Sequence, residues 1–339
     1  MPWRLIIIGL AGGSLLGAVY LLSRARRFFP GLAKRHPALS WLAALPVLLV
    51  PGLFALCFNV FTCFIVLLHL TLFWLLCDLL GRLVNRLRGR KPGFCAAGLC
   101  ALGLTVVYLG CGWFFAHHVF ETHYTFYTDK DLGADRLRIA AAKPDLAAVV
   151  GDFVDDDTSR EDMLRACEAL GELDAVCPVF YVYGNHDRGY YRYRNFTGQE
   201  LRDALTANGV EILEDEAVPL NACVTLIGRR DRSAERLSAQ ELTAGVGGYT
   251  VILDHQPNDY ENEAAAGADL VISGHTHGGH IFPAGLIGIL SGANDRTYGT
   301  ERRSGTTFVV TSGISGWAIP FKTGAISEYV VIDVEQERK

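Results

Sequence analysis

The chain has 339 residues, half of them hydrophobic, and a net charge of −5 at neutral pH. Residues 1–118 hold eleven basic residues and one acid, a charge of +10, so residues 119–339 carry −15. This split is typical of a membrane region joined to an acidic soluble domain. It excludes one uniform globule, and it argues against nucleic acid as a partner.

Four apolar stretches within residues 1–118 approach the roughly 20 residues that a membrane-spanning helix needs. They cover about 5–22, 39–58, 60–80 and 94–115. The second contains Pro46 and Pro51, so it predicts either a bent span or a re-entrant segment. The sequence therefore predicts a multi-pass membrane domain over 1–118, with the lipid bilayer as its partner.

Basic residues predict the orientation of these spans. Ser23–His36 holds five Lys or Arg and Gly81–Lys91 holds five more, whereas the segment between them has none. The positive-inside rule places both basic segments in the cytoplasm. With four spans, residues 119–339 lie outside the cell membrane, and with a re-entrant second segment the orientation reverses. His69 and Asp78 of the third stretch are isolated, which favours anchoring over transport.

Residues 119–339 alternate short apolar strands, polar clusters and helices. Strands are predicted at about 117–128, 146–150, 178–183, 211–213, 223–227, 249–253, 269–273, 307–311 and 327–334. Residues 136–139 fit a short strand or a helical turn. Helices are predicted near 161–170, 200–207, 238–242 and 260–266, the second with a capping box from Thr197 to Glu200. This alternation predicts an α/β domain.

Four predicted strands end in polar residues, and each end is close to a glycine or proline. These residues are Asp152, Asn185 with His186, His255, and His275 with His277. Each alone is typical of a helix cap, a turn or a solvated loop. Because ligands bind beyond the carboxyl ends of strands in open α/β sheets, we expect the set to converge. Carboxylate, amide and imidazole groups without cysteine suit zinc, iron or manganese in a catalytic site.

The ordered motifs resemble those of the calcineurin-like metallophosphoesterase superfamily, in its membrane-associated bacterial branch. They are Gly151-Asp152, Gly184-Asn185-His186-Asp187, His255-Gln256-Pro257 and Gly274-His275-Thr276-His277-Gly278-Gly279, and the resemblance covers about 145–335. It implies a β-sandwich flanked by helices (α/β/β/α) over 119–339, after an N-terminal α-helical transmembrane bundle. It also implies hydrolysis of phosphomonoester, phosphodiester or pyrophosphate bonds.

The resemblance assigns a role to each polar residue. Asp152 would bridge two divalent metal ions, which the family takes as manganese, iron or zinc. One metal position would be completed by Asn185, His255 and His275, and the other would use His277. His186 would be the catalytic histidine beside the phosphate, and the later His280 would not be a ligand. Three arginines are candidates for contacts with substrate phosphate, namely Arg188, Arg229 and Arg230.

One motif of the family, an Asp-x-His after its first strand, has no counterpart in this chain. The nearest string, Asp129–Gly133, has Asp where the histidine should be. Either Asp129 and Asp131 replace the motif, or the motif and its following helix are absent between Ile139 and Pro144. The second alternative is favoured, because 136–139 resembles the family's first strand cut short. Only one of the two metal positions then keeps its ligands.

Two functional hypotheses follow. The leading one is a membrane-anchored phosphoesterase acting on a phosphoester substrate, with lipid-linked or envelope phosphodiesters and pyrophosphates as the expected class. The alternative is a catalytically impaired metal-binding domain that acts as a sensor or scaffold, because the first motif is missing. No nucleic acid is expected as a partner of either.

Overall fold

The chain is described by a computed structural model over residues 3–89, 96–139, 144–189 and 194–337. It divides into two compact units. The first comprises Met1–Ala116 and Ala318–Thr323, and the second comprises His117–Trp317 and Gly324–Lys339. A short segment from late in the chain therefore belongs to the N-terminal unit.

The first unit is helical. Its helices are α1 (Trp3–Ala25), α2 (Pro30–Arg35), α3 (Pro37–Leu42), α4 (Pro46–Cys57), α5 (Val60–Leu87) and α6 (Ala96–His117), with a short 3-10 helix at Arg26–Phe28. Within the described residues, three helical stretches are long and apolar enough to cross a membrane: Ile6–Phe28, Val60–Leu87 and Ala96–His117. The first two residues of the predicted fourth span, 94 and 95, lie outside the described residues.

The predicted span over 39–58 is not one helix. It forms α3 and α4, and the 12-residue α4 is too short to cross a bilayer by itself. Proline is accepted in the first turn of a helix but not in its interior, so a new helix begins at Pro46. Backbone bonds of the i to i−3 type continue across the junction, from Leu45 to Leu42 at 3.1 Å and from Val47 to Ala44 at 3.2 Å. The two helices are thus joined by a kink across which backbone hydrogen bonds continue, and the segment Pro37–Cys57 is called the kinked path.

Helices α1 and α5 run parallel. Gly17 of α1 faces Thr71, and about two turns later in both helices Arg24 forms a 2.8 Å ion pair with Asp78. Helix α6 runs antiparallel to α5, since its first turns face Trp74 while Tyr108, further along, stacks on His69. Nδ1 of His69 lies 2.8 Å from the carbonyl of Ile65 on its own helix.

The late segment Ala318–Thr323 packs at the ends of these helices. Asn59, at the start of α5, donates to the carbonyl of Ala318 at 2.5 Å. The N–H of Lys322 donates to the carbonyl of Gly112 in α6 at 2.9 Å, and the ring of Phe321 lies 5.6 Å from that of Phe54 in α4. The end of α4, the start of α5 and the end of α6 therefore lie on the same side of the unit.

The second unit contains twelve described strands and five described helices. The strands are β1 (Val119–Thr128), β2 (Arg136–Ile139), β3 (Ala147–Val150), β4 (Val179–Val182), β5 (Glu211–Ile212), β6 (Glu216–Pro219), β7 (Val224–Gly228), β8 (Tyr249–Leu253), β9 (Leu270–Ser273), β10 (Gly299–Arg303), β11 (Thr306–Val310) and β12 (Ser327–Gln336). The helices are α7 (Arg160–Asp174), α8 (Gly198–Ala207), α9 (Ala239–Thr243), α10 (Tyr260–Ala265) and α11 (Ala284–Leu290).

The strands form three sheets, with the orders β1-β12-β2, β10-β11-β9-β8-β7-β6 and β3-β4-β5. Strands β7, β8, β9 and β11 are mutually parallel neighbours, as are β3, β4 and β5, whereas the outer strands β6 and β10 pair antiparallel. One apolar core joins residues of all three sheets, among them Phe180, Val251 and Ile332. Mixed sheets with helices confirm the predicted α/β class.

Local signals explain several element boundaries. The capping box that Thr197 predicts is present at the start of α8, where its side chain and that of Glu200 bond each other's backbone N–H. Residues 136–139 form a strand rather than a helical turn. Strands β6 and β10 and helix α11 were not anticipated, because their sequences lack a clear alternating or amphipathic pattern.

Candidate metal centre

The loops after β3, β4, β8 and β9 bring four of the predicted ligands together. Oδ2 of Asp152 lies 3.0 Å from Nε2 of His255 and 3.9 Å from Nδ1 of His275. Oδ1 of Asn185 lies 3.3 Å from the same Nε2 of His255. Ligand atoms of the carboxylate and the two histidines all lie within 4.8 Å of one another. These four side chains therefore surround one point.

The backbone at this point is tightly constrained. Asp152 has φ 51° and His275 has φ 63°, a conformation that costs free energy in residues other than glycine. Gly151 also has positive φ, and a Cβ there would lie 2.5 Å from both the N of Gly184 and Nδ1 of His255. Only glycine lets the two loops approach so closely. Such strain, held by the surrounding structure, is a feature of functional sites.

Asp187, which directly follows the Asn-His pair, fastens two of these loops. Its buried carboxylate accepts four backbone N–H groups: Asp152 at 2.8 Å, Phe153 at 2.8 Å, Val154 at 3.1 Å and Gly184 at 2.7 Å. A carboxylate that accepts several backbone N–H groups holds them firmly. This residue thus fixes the loop after β3 against the loop after β4. This bracing role was not predicted, although Asp187 is the last residue of the motif Gly184-Asn185-His186-Asp187.

Opposed electrostatic effects act on the central pair. Burial would raise the pKa of the Asp152 carboxyl, but the hydrogen bond from His255 and the nearby ring of His275 lower it well below its usual range. Burial would lower the pKa of His255, but the carboxylate of Asp152 raises it to about 9. Nδ1 of His255 donates to the carbonyl of Val150 at 2.8 Å, so Nε2 faces the centre. Without a bound cation, a proton on His255 therefore balances the negative charge of the buried Asp152 carboxylate.

The residues fit a divalent cation. Nδ1 of His275 is buried and makes no hydrogen bond to any residue that the structure describes. A buried polar atom without a partner is costly and calls for an explanation such as an ion. One carboxylate, one amide oxygen and two imidazoles are the donors that zinc, manganese and iron accept in catalytic sites.

His186 lies beside this group but faces different partners. Its backbone N–H donates to Oδ1 of Asp152 at 2.9 Å. Its ring Nδ1 lies 3.3 Å from Asp155 and 3.4 Å from Asp156. Asp155 raises the pKa of His186, against the lowering effect of burial. The indole of Trp317 covers the ring, with 5.9 Å between the centroids. Sequence reasoning missed Asp155 and Asp156 as partners of His186, although Asp155 stands three residues after Asp152.

His277 does not join the group around Asp152 among the residues that the structure describes. It lies at the start of a short 3-10 helix, His277–Gly279, with φ 49°, and its ring centroid is 5.7 Å from that of His280. Both His275 and His277 have positive φ, but of these two residues only His275 joins the described group around Asp152. The three histidines of the loop therefore do not share one position.

Asp129 and Asp131 lie at the other end of the sheet. Asp131 accepts from the N–H of Gly133 within its own turn, at 2.8 Å. Lys130, between the two acids, bonds the carbonyl of Gly248 at 3.0 Å and Asp269 at 2.8 Å, and both of these precede strands whose other ends carry the site histidines. Strands of this length separate their ends by more than about 10 Å. The acids therefore do not replace the missing motif. Residues 140–143, where the motif would be lost, lie outside the described residues.

Of the three candidate arginines, Arg229 is excluded from substrate contact. It is buried, and Nη1 pairs with Asp254 at 2.8 Å, Asp259 at 2.8 Å and Glu263 at 3.1 Å. Burial would lower its pKa, but these acids raise it, so it is a structural cation behind the loop of His255. Arg188 pairs with Glu214, and the more exposed Arg230 approaches the same acid at 3.9 Å.

Comparisons with known proteins show which family this chain resembles. A protein-family model described as calcineurin-like phosphoesterase matches residues 120–279. An uncharacterized metallophosphoesterase of Aquifex aeolicus is 30% identical over 202 residues, which cover 57% of this chain and 74% of the relative. One from Campylobacter jejuni is 27% identical over 210 residues, covering 59% and 53%. A transmembrane protein with metallophosphoesterase domain from Danio rerio is 29% identical over 211 residues, covering 57% and 46%. The chain spans about half the length of the last two.

Proposed function

The chain belongs to the calcineurin-like metallophosphoesterase family, whose members are metal-dependent hydrolases of phosphoesters, and we propose that it is a membrane-anchored phosphoesterase. The observation that carries the proposal is the convergence of Asp152, Asn185, His255 and His275 on one point beside His186. Three helical stretches that can cross a membrane supply the anchor.

We infer that these four side chains hold one divalent cation, which when bound would stabilise the negative charge that develops on the phosphoryl oxygens. Manganese, iron and zinc all suit the donor set. A second cation, if the chain keeps one, would involve His277 together with Asp152. The protein's own contribution is to hold the donors at fixed positions through Asp187 and the positive-φ backbone.

His186 is proposed as the acid that protonates the leaving oxygen. Its Nδ1 faces Asp155 and Asp156, so the proton that it can transfer is the one on Nε2. Asp155 raises its pKa, which keeps the imidazolium populated at a higher pH than in a free histidine. The indole of Trp317 lies beside the ring, with 5.9 Å between the centroids.

The domain is proposed to lie outside the cytoplasm. The parallel order of α1 and α5 supports this, because two parallel spans need an intervening segment that returns across the membrane. The kinked path Pro37–Cys57 holds 21 residues, about 31 Å of helix, which is enough. Both basic segments then share the cytoplasmic side, and α6 leads outward. A reporter enzyme that functions only in the cytoplasm is fused at Lys339, and activity of this fusion would refute the topology.

A lipid-linked or envelope phosphodiester or pyrophosphate is the proposed substrate class. It is supported by the membrane anchor and by exposed apolar residues, such as Leu290, that follow the histidine loop. The histidine loop is the segment His275–His280, which carries His275, His277 and His280. The second candidate function is a catalytically impaired metal-binding sensor or scaffold. The position of His277 outside the described ligand group favours it, as does the missing Asp-x-His motif.

One experiment separates the two functions. The full chain, purified in detergent and loaded with manganese, is analysed for metal per chain and for hydrolysis of bis(p-nitrophenyl) phosphate. Bound metal with hydrolysis that is lost in His186→Ala supports the phosphoesterase. His123→Ala is the matched control, because His123 pairs with Asp333 on a different sheet. Bound metal without hydrolysis in the unsubstituted chain supports the sensor, and a chain that binds no metal refutes both.

A further inference from the structure

Helix α11 carries an unusually exposed apolar surface. The α11 face, defined here as Leu286, Ile287 and Leu290, has exposed fractions of 53%, 54% and 77%. The stretch 281–294 that contains it has no charged residue. Soluble proteins rarely expose several large apolar side chains together, and where they do the surface usually contacts a protein or a membrane.

The helix is fastened to the candidate metal centre. A Cβ built on Gly285 would lie 3.0 Å from the Cα of Gly279, so the helix packs directly on the end of the histidine loop. Thr297 donates to the carbonyl of Gly285 at 2.9 Å and holds the same contact. The exposed face is therefore presented on a fixed helix and not on a loose loop.

The path of the chain indicates what this face contacts. The chain passes between its two units after Ala116, after Trp317 and after Thr323. Within the second unit, His280 contacts the residues on either side of Ala318–Thr323. Its Nδ1 faces the backbone N–H of Trp317 at 3.5 Å, and its carbonyl accepts from the N–H of Gly324 at 3.0 Å. The uncharged stretch 281–294, which contains α11, begins at the residue after His280.

The first passage of the chain between its two units, after Ala116, is also short. Helix α6 ends at His117 and β1 begins at Val119, so a single residue separates a membrane-crossing helix from the first strand of the α/β unit. The start of β1 is therefore covalently held within one residue of a helix that is long and apolar enough to cross a membrane. The segment that His280 holds continues into Ala318–Thr323, which packs on the ends of the membrane-crossing helices within the first unit.

We propose that the α11 face inserts into the interfacial layer of the bilayer in which the chain's own helices lie. An uncharged apolar surface gains free energy at the depth of the headgroups and first acyl carbons, and covalent attachment to a span removes most of the cost of bringing it there. This contact needs no catalytic activity and goes beyond the proposed function. Together with that function, it would place the metal centre beside phosphoesters carried by lipids.

Photo-crosslinking of the full chain in nanodiscs of phosphatidylethanolamine and phosphatidylglycerol tests the proposal. p-Benzoylphenylalanine is placed at Leu290, and adducts are identified by mass spectrometry after irradiation. Val106 in α6, with an exposed fraction of 72%, is the positive control for lipid contact. Val176, after α7 in the second unit and 67% exposed, is the apolar control away from α11.

Phospholipid adducts at position 290, comparable with those at 106 and absent at 176, support the proposal. Adducts at 106 alone overturn it. Crosslinks from position 290 to a second copy of the chain also overturn it and identify α11 as a self-association surface. Because no outcome depends on hydrolysis, failure here leaves the proposed phosphoesterase unaffected, and loss of hydrolysis leaves this contact unaffected.

Discussion

The two sides of the candidate metal centre differ in how many chain segments support them. The side of Asp152, Asn185, His255 and His275 draws on four strand ends and is braced by Asp187. The side of His277 lacks the Asp-x-His motif, and His277 lies against His280. This difference supports the proposal that only one of the two metal positions keeps its ligands, because the two positions depend on different strands.

The largest expected effect is from Asp152→Asn, which keeps the side-chain shape but removes the central charge. We expect metal affinity to fall by more than about 100-fold, since even partners of metal ligands contribute 10–100-fold. Metal per chain, measured by mass spectrometry after dialysis, checks this. His277→Ala is the opposing variant and should leave the metal content unchanged. A halving of metal content in His277→Ala would break the comparison.

His186→Ala should lower the rate of phosphodiester hydrolysis by about 10²–10⁴-fold with metal content unchanged, because a positioned acid contributes that much. Asp155→Asn should lower it less and also change the pH profile. Asp155 raises the pKa of His186, and activity that needs the imidazolium is lost as pH rises through that pKa. Without Asp155 the loss should begin at a lower pH. An unchanged alkaline limb in Asp155→Asn would contradict the assignment.

Asp187→Ala leaves four backbone N–H groups without their acceptor. We expect metal affinity to fall about 10–100-fold and the free energy of unfolding to fall by about 3 kcal/mol. Competition with a metal indicator and thermal unfolding followed by tryptophan fluorescence measure the two effects. Asp203→Ala, an exposed acid on α8, is the matched control. Equal behaviour of the two variants would remove Asp187 from its bracing role.

Metal binding should strengthen with pH. The pKa of metal-free His255 is raised to about 9, so below that pH a cation must displace its proton. Apparent affinity should therefore rise about tenfold for each pH unit between roughly 6.5 and 8.5 and level off above 9. Calorimetry in buffers of different ionisation enthalpy should detect release of about one proton per metal at pH 7. Affinity that does not change with pH would show that His255 is neutral before binding.

The smallest expected effect tests whether Asp129 and Asp131 replace the missing Asp-x-His motif. Asp129→Asn with Asp131→Asn should change neither metal content nor hydrolysis, because both acids lie at the opposite end of the strands. The double variant is compared with the unsubstituted chain in the same two assays. A loss of bound metal would show that these acids serve the second position after all.

Much of the fold was accessible from the sequence. Length and apolarity of 5–22, 60–80 and 94–115 predicted spans, and three long apolar helices are present. Strand patterns before Asp152, Asn185, His255 and His275 predicted both the α/β class and the convergence of those side chains. Helix α11 was not predicted, because its apolar residues are not balanced by a polar face.

The sequence alone determined the residue types and their order along the chain, which fix the strands, the spans and the set of donor atoms. Tertiary structure decided which donors meet. His275 joins the described group around Asp152 whereas His277, two residues later, does not, and burial turns Arg229 from a candidate phosphate contact into a structural cation. The physical reason is that periodicity and composition act locally, whereas backbone strain and burial are set by packing between segments far apart in the chain.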